Sequence, residues 1–159
     1  FLGYWNNEDA TREKYIEGPS GKWLLTGDRG IRDNDGRIQF LGRDDDIISS
    51  AGYRIGPAEV EDSLLAHESV QLAGAVGKPD PLRGSVVTAY VVLKEGFEPS
   101  VALGEQIAMF VKSKLAAHEY PRVVRFLKDM PITPTGKIIR SELRKLAKEE
   151  ATEQGASRG

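Results

Sequence analysis

Apolar and polar positions alternate along the chain with a changing period. Residues 23–26, Trp-Leu-Leu-Thr, are a short apolar run that predicts a strand, after which Gly27-Asp28 turns the chain. Between Ile31 and Phe40 lies Asp33-Asn34-Asp35-Gly36, the strongest hairpin signal present, and Ile38 and Phe40 alternate after it. Residues 1–22 are polar and turn-rich, with Tyr4 and Trp5 near the start. The charged run Gly42-Arg43-Asp44-Asp45-Asp46 breaks the pattern, and a domain boundary is expected there.

Beyond the break, Ile47-Ile48 and Tyr53–Ile55 read as short strands around a Ser-Ser-Ala-Gly turn. Gly56-Pro57 opens a helix: proline suits the first helical position, and Glu59 and Glu61 lie where acids complement the helix dipole. Val60, Leu64 and Leu65 give that helix an apolar face, and His67 sits near its end. Residues 70–77 predict a strand, Pro79-Asp80-Pro81 a loop, and the β-branched run 85–93 a further strand. Leu103, Ile107, Val111 and Leu115 recur every four residues, which is one face of a helix. Residues 123–127 predict a strand and residues 131–137 an irregular loop. Ser141 is expected to cap a last helix carrying Leu143 and Leu146, and the tail from residue 151 reads as frayed. This order of elements implies a small α+β domain after residue 46.

Composition narrows the function classes. A chain of 159 residues, 40% hydrophobic and 29% charged, is neither collagen-like nor wholly disordered, and it is long enough to bury a core. Lys plus Arg number 22 against 24 Asp plus Glu, a net charge of −2 that argues against a nucleic-acid binder. With no cysteine, disulfides, thiolate metal sites and cysteine nucleophiles are excluded, which fits a reducing compartment. No apolar run approaches the roughly 20 residues of a membrane span. The first residues have neither the basic start nor the apolar stretch of a signal peptide. The chain opens at Phe1 inside what reads as structured sequence, so it is expected to be a piece of something longer.

Four turns place charge beside glycine: Thr26–Gly30, Gly42–Asp46, Ser50–Pro57 and Pro134–Lys137. Glycine lets backbone approach a ligand closely, a carboxylate can accept from two vicinal hydroxyls, and Arg or Lys can neutralise phosphate oxygens. Together they suggest a nucleotide, although neither a Walker loop nor GxGxxG is present. Each has a plainer reading alone: Asp28 as a turn residue, Asp44–Asp46 as a solvated break, Arg54 and Lys137 as surface cations. His67 and His118 read as dipole partners near helix ends.

Order and spacing go further. The run YWNN…TGDRGIRDNDGRIQFLGRDDDIISSAGYRIGPAEVEDSLLAH…VGKPDPLRGSVVTAYVVLKEG…YPRVVRFLKDMPITPTGKIIRSELRK resembles the C-terminal third of the adenylate-forming (AMP-binding) enzymes, over about residues 3–148. GYRIGPAEVE, PDPLRG and EYPR make it most similar to the medium-chain acyl-CoA synthetases. The resemblance implies that residues 1–43 are the β-rich end of a large N-terminal domain, residues 44–150 the C-terminal lid domain and residues 151–159 a disordered tail. It implies acid, ATP and CoA as substrates, going through acyl-adenylate to acyl-CoA, AMP and pyrophosphate, with Mg2+ held mostly by residues elsewhere. The rest of the polypeptide is then the partner, and the chain alone is expected to be inactive. Soluble localisation is implied, in cytoplasm or, in a eukaryote, the mitochondrial matrix.

Residue by residue, Asp28 matches the position holding the ribose hydroxyls, Arg43 a second nucleotide contact and Lys137 the catalytic lysine. Asp45 matches the hinge on which the lid rotates. Ala51, Gly52, Tyr53 and Arg54, with Arg83, Lys112, Tyr120, Pro121 and Arg122, match the CoA-binding positions; Ala51 stands where the family often has Ser. No metal site is expected from spacing, and His67 falls near a place where some relatives bind a cation by backbone. The alternatives are an adenylation domain loading a carrier protein and a non-catalytic interaction module derived from the lid.

Overall fold

The computed structural model describes residues 1–156. It divides into two units, Phe1–Asp45 and Asp46–Gly159, so the boundary falls two residues after the expected one.

In the first unit, Asn7 begins a short helix, α1 (Glu8–Arg12), by accepting the Ala10 N–H on its side chain. Two antiparallel hairpins follow: β1 (Tyr15–Gly18) with β2 (Gly21–Leu24), and β3 (Asp28–Arg32) with β4 (Ile38–Arg43). The Asp33–Gly36 signal forms the second turn. There the Asp33 carboxylate accepts the Arg37 N–H at 2.8 Å, and the Gly36 N–H donates to the Asp33 carbonyl at 3.1 Å. Residues 1–22, expected only as turn-rich, contain α1, β1 and the first half of β2. Their strands are four residues long and largely exposed, so no apolar alternation marks them.

The second unit contains the hairpin β5 (Ile48–Ser50) and β6 (Tyr53–Ile55), α2 (Pro57–Leu65), β7 (Val70–Asp80), β8 (Gly84–Leu93), α3 (Val101–Lys112), β9 (Val123–Phe126) and α4 (Arg140–Ala156). Three strands form a sheet in the order β7-β8-β9, the first pair antiparallel and the second parallel. Side chains alternate across that sheet and build two cores. On one side Ala73, Ala75, Val87, Ala89 and Val91 pack with Ile48 and Ile55 of the hairpin, Val60 and Leu64 of α2, and Ile107 and Val111 of α3. On the other, Val76 and Tyr90 pack with Met130, Leu143 and Ala147, the last two from α4. Gly74 lies under α4 with no room for a side chain, since a Cβ there would stand 2.5 Å from Leu143 Cδ1.

Three boundaries differ from expectation. Strand β7 continues through Pro79 to Asp80, because Asp80 pairs with Gly84 and its carboxylate accepts the Leu82 and Arg83 N–H groups, closing a tight turn. Helix α4 begins at Arg140, so Ser141 lies inside its first turn and is not its cap. The helix also runs on through residues expected to be disordered, as far as Ala156; residues 157–159 of that tail lie outside the described residues. Glu150 explains the extension. It receives Lys78 Nζ at 3.1 Å, Arg125 Nε at 3.1 Å and the Tyr90 hydroxyl at 3.1 Å, which fastens the helix to the sheet.

This cluster sets a pH dependence. Burial favours the protonated Glu150 carboxyl, but the hydrogen bonds and charges of Lys78 and Arg125 outweigh it and hold the group below the usual carboxylate range. The neutral Tyr90 phenol is favoured by burial first and by Glu150 second, so it titrates well above the usual phenol range. A carboxyl lowered on folding contributes stability above the unfolded value of about 4.3, and that contribution is lost as pH falls through the folded value. The chain is therefore expected to lose melting temperature more steeply than a Glu150→Gln variant as pH drops below about 5, as circular dichroism melts across that range will measure.

Candidate active site

Among the described residues, the candidate side chains fall into three groups. The first lies within Phe1–Asp45. Asp28 opens β3 and Arg43 closes β4, and the two are paired across the ladder. Arg43 donates to the Thr26 carbonyl at 3.0 Å and lies 3.4 Å from the carboxylates of both Asp28 and Asp45. Beside it, Arg29 pairs with Asp44. The expected ribose, nucleotide and hinge residues thus share one guanidinium. All are about half exposed, so these pairs orient side chains rather than stabilise the fold.

The second group surrounds Lys137. The loop closes on itself through backbone bonds between Thr133 and Lys137, with the Thr133 N–H to the Lys137 carbonyl at 2.8 Å and the Gly136 N–H to the Thr133 carbonyl at 2.9 Å. The Thr133 hydroxyl accepts the Lys137 N–H at 3.0 Å. The result is a tight, exposed tip whose next residue, Ile138, packs with Leu143 and Met130 on the α4 side of the sheet. Its base is fixed by a charge network. Arg140 donates Nε to Glu61 Oε1 at 3.0 Å, Nη2 to Glu61 Oε2 at 2.5 Å and Nη1 to Asp46 at 3.2 Å, and Arg144 also reaches Asp46 at 2.6 Å. Glu61 Oε1 accepts the Ala75 N–H of β7 as well, at 2.9 Å. Burial works against the Arg140 charge, yet the two carboxylates more than offset it, so the guanidinium titrates above its ordinary range.

The third group gathers from three segments. At the β5–β6 tip, Ala51 and Gly52 take left-handed backbone, φ +49° and +85°. A side chain at Gly52 would meet nothing within 4 Å, so its glycine serves conformation and leaves open space above the turn. The Ala51 N–H donates to the carbonyl of Arg83, in the β7–β8 turn, at 3.0 Å. Tyr53 stacks on His118, with ring centroids 3.9 Å apart and planes at 17°. Two residues on, Tyr120 lies 5.2 Å from both Lys112 Nζ and the Arg122 guanidinium, and its hydroxyl accepts from Arg122 at 3.2 Å. Pro121 lies between them, and the Arg122 N–H is held by the Val87 carbonyl at 2.9 Å. Residues spaced over seventy positions thus converge on one cationic, aromatic rim.

The second and third groups sit on opposite sides of the sheet. Ile48 and Ile55 anchor the Gly52 tip to the α2–α3 side, and Ile138 anchors the Lys137 tip to the α4 side. His67 stands apart from all three. Its Nδ1 accepts from Ser69, its carbonyl accepts the Val70 N–H, and its ring meets Phe110 edge-on. No group of three or more His, Asp or Glu among the described residues could hold a metal ion, and no helix there is long and apolar enough to cross a membrane.

Residues 59–137, from α2 to the Lys137 tip, match the AMP-binding enzyme C-terminal domain. The chain belongs to that family. It is 44% identical over 140 residues to the acetyl-coenzyme A synthetase of Bacillus subtilis, covering 88% of this chain and 24% of that protein. It is 49% identical over 135 residues to the human mitochondrial acyl-coenzyme A synthetase ACSM1, covering 84% of this chain and 23% of that one. Among solved structures, an anthranilate CoA ligase in complex with anthranoyl-AMP superposes with a TM-score of 0.80 at 38% identity, over 95% of this chain and 28% of that one. The chain thus spans about a quarter of the length of these curated relatives. The α+β architecture expected from the sequence is the one observed.

Sequence reasoning missed Glu61, Arg140, Asp46, Arg144 and His118 as parts of the site. Asp46 read only as the end of a charged break, and Glu61 only as a helix-dipole acid. The network makes a stability prediction. Truncation by Glu61→Ala removes two bonds from the part-buried Arg140 guanidinium, leaving it only Asp46, and leaves the Ala75 N–H without its acceptor, so it should cost about 2 kcal/mol in urea unfolding, whereas Asp45→Ala should cost well under 1 kcal/mol.

Proposed function

We propose that this chain supplies the lid of an AMP-forming acyl-CoA synthetase, which joins a carboxylic acid to CoA through an acyl-adenylate. One observation carries the reading: a lone lysine tip and a cationic, glycine-opened rim occupy opposite sides of one rigid sheet. Two such sides suit two half-reactions offered in turn at a single cleft. The CoA ligases and synthetases among the relatives support the same chemistry, as does the acyl-adenylate bound in one of them.

In the first half-reaction Lys137 would bring its ammonium to the acid's carboxylate and the α-phosphate of ATP, where negative charge concentrates as the anhydride forms. Asp28 would accept hydrogen bonds from the ribose hydroxyls, and Arg43 would orient that carboxylate while contacting the nucleotide itself. Rotation at Asp45 would then exchange the two sides. Gly52 would leave a passage for the pantetheine arm, and Arg54, Arg83, Lys112, Tyr120 and Arg122 would receive the phosphates and adenine of CoA. Magnesium would be held by residues elsewhere in the complete protein. The exposed apolar side chains Ile31, Ile38 and Phe40 on the β3–β4 hairpin suit packing against other parts of a large N-terminal domain. A soluble setting, cytoplasmic or in the mitochondrial matrix, fits both the reaction and the mitochondrial relative.

The test is a pair of variants in the complete enzyme that carries this chain. Lys137→Ala should lower acid-dependent pyrophosphate exchange by roughly a hundredfold or more, while thioester formation from supplied acyl-adenylate survives. Gly52→Leu should do the reverse, because the added side chain fills the open turn and strains a backbone at φ +85°. Equal loss of both half-reactions in either variant refutes the division of labour.

A further inference from the structure

The β5–β6 hairpin has three residues per strand, paired only to each other. A hairpin of that size has little stability of its own, so its tip is ordered by what it touches. Two contacts tie it to the β7–β8 turn: the Ala51 N–H to the Arg83 carbonyl at 3.0 Å, and the Ser85 hydroxyl to the Ser49 carbonyl at 2.6 Å. The tie to the segment carrying Tyr120 and Arg122 is the ring of Tyr53 lying flat on His118.

His118 is well placed to act as an anchor. It sits in a turn closed at both atoms of its frame, where the Glu119 N–H donates to the Ala116 carbonyl at 2.9 Å and the Glu119 carboxylate accepts the Ala116 N–H at 2.9 Å. Downstream, the Arg122 N–H is fastened to β8. The imidazole is therefore carried on a fixed backbone, whereas the Tyr53 side chain is about half exposed and belongs to the weaker hairpin. Centroids 3.9 Å apart with nearly parallel planes put the two ring faces in van der Waals contact, a geometry that fixes both the height and the direction of the tip.

We propose that His118 is a positioning residue for CoA: its imidazole, stacked on Tyr53, holds the Gly52 tip in register with Tyr120 and Arg122, so that the CoA-facing rim is assembled before ligand arrives. This rests on the CoA reading above. Without the stack the same groups are present, but the tip must be ordered at the moment of binding, and affinity falls by that cost.

The experiment varies CoA in thioester formation from supplied acyl-adenylate by the complete enzyme that carries this chain, reading KM for CoA against kcat. His118→Ala should raise the KM for CoA about threefold to tenfold, with kcat, acid-dependent pyrophosphate exchange and melting temperature unchanged. His118→Phe, which restores a flat ring, should bring the KM back to within about twofold of the unaltered enzyme. His118→Leu, which restores bulk without a ring face, should not. An unaltered KM in the alanine variant, or equal rescue by leucine and phenylalanine, overturns the inference alone. An unaltered enzyme that makes no thioester from CoA overturns the CoA reading itself and the inference with it.

Discussion

The guanidinium of Arg140, set between Glu61 and Asp46, is the constraint on which the second unit depends. It joins residues 79 and 94 positions away in sequence, and through the Ala75 N–H it reaches the outer edge of β7. Three structural jobs are done by one side chain. It holds Glu61 where that carboxylate accepts the Ala75 N–H of the sheet edge, it binds α2 to α4 around that edge, and it ties the residue that begins the second unit to the base of the Lys137 loop. Charge this deep costs desolvation, and the cost is met only while every partner is in place. Stability is thus concentrated three residues after the lysine, at the base of an exposed tip.

The sheet between the two tips performs the complementary task of separation. Its cores are distinct: small residues (Ala73, Ala75, Ala89) admit α2 and α3 on one side, while Gly74 admits α4 on the other. The two tips are seated in separate apolar cores, and the Glu61–Arg140–Asp46 network joins α2 to α4 around the sheet edge. On the proposed reading, the Gly52 rim would hold a large polyanion along its length, whereas the lysine would deliver one charge.

Much of the fold was legible because its signals are local. The β-branched run 85–93 became the central strand β8, the four-residue recurrence from Leu103 became α3, and Gly56-Pro57 began α2. Where expectation missed, a distant partner decided. Nothing near Glu150 in sequence says that α4 continues past residue 150; Lys78, Tyr90 and Arg125 say it from across the sheet. Ser141 looked like a cap because Ser is a good one, but Arg140 is drawn into the helix by Glu61 and Asp46. The candidate site residues were legible through turn motifs and family resemblance. Their grouping was not, because the Tyr53–His118 contact and the Arg43 pairs bring together residues whose neighbourhood is a property of the folded chain.

The spacing between Gly74 and Gly77 has one further consequence. Gly74 lies against Leu143 and Ile138, and Gly77 lies against Ile48, so an odd step along β7 separates the layer that seats the lysine from the layer that seats the glycine turn. Strand geometry makes sidedness a matter of parity: one residue inserted between them would turn everything downstream over and stitch both tips to the same layer. Length change is therefore expected to be tolerated at places such as the 81–83 bend and not between those glycines, where the two intervening residues act as a counting device whose number, not kind, sets the parity.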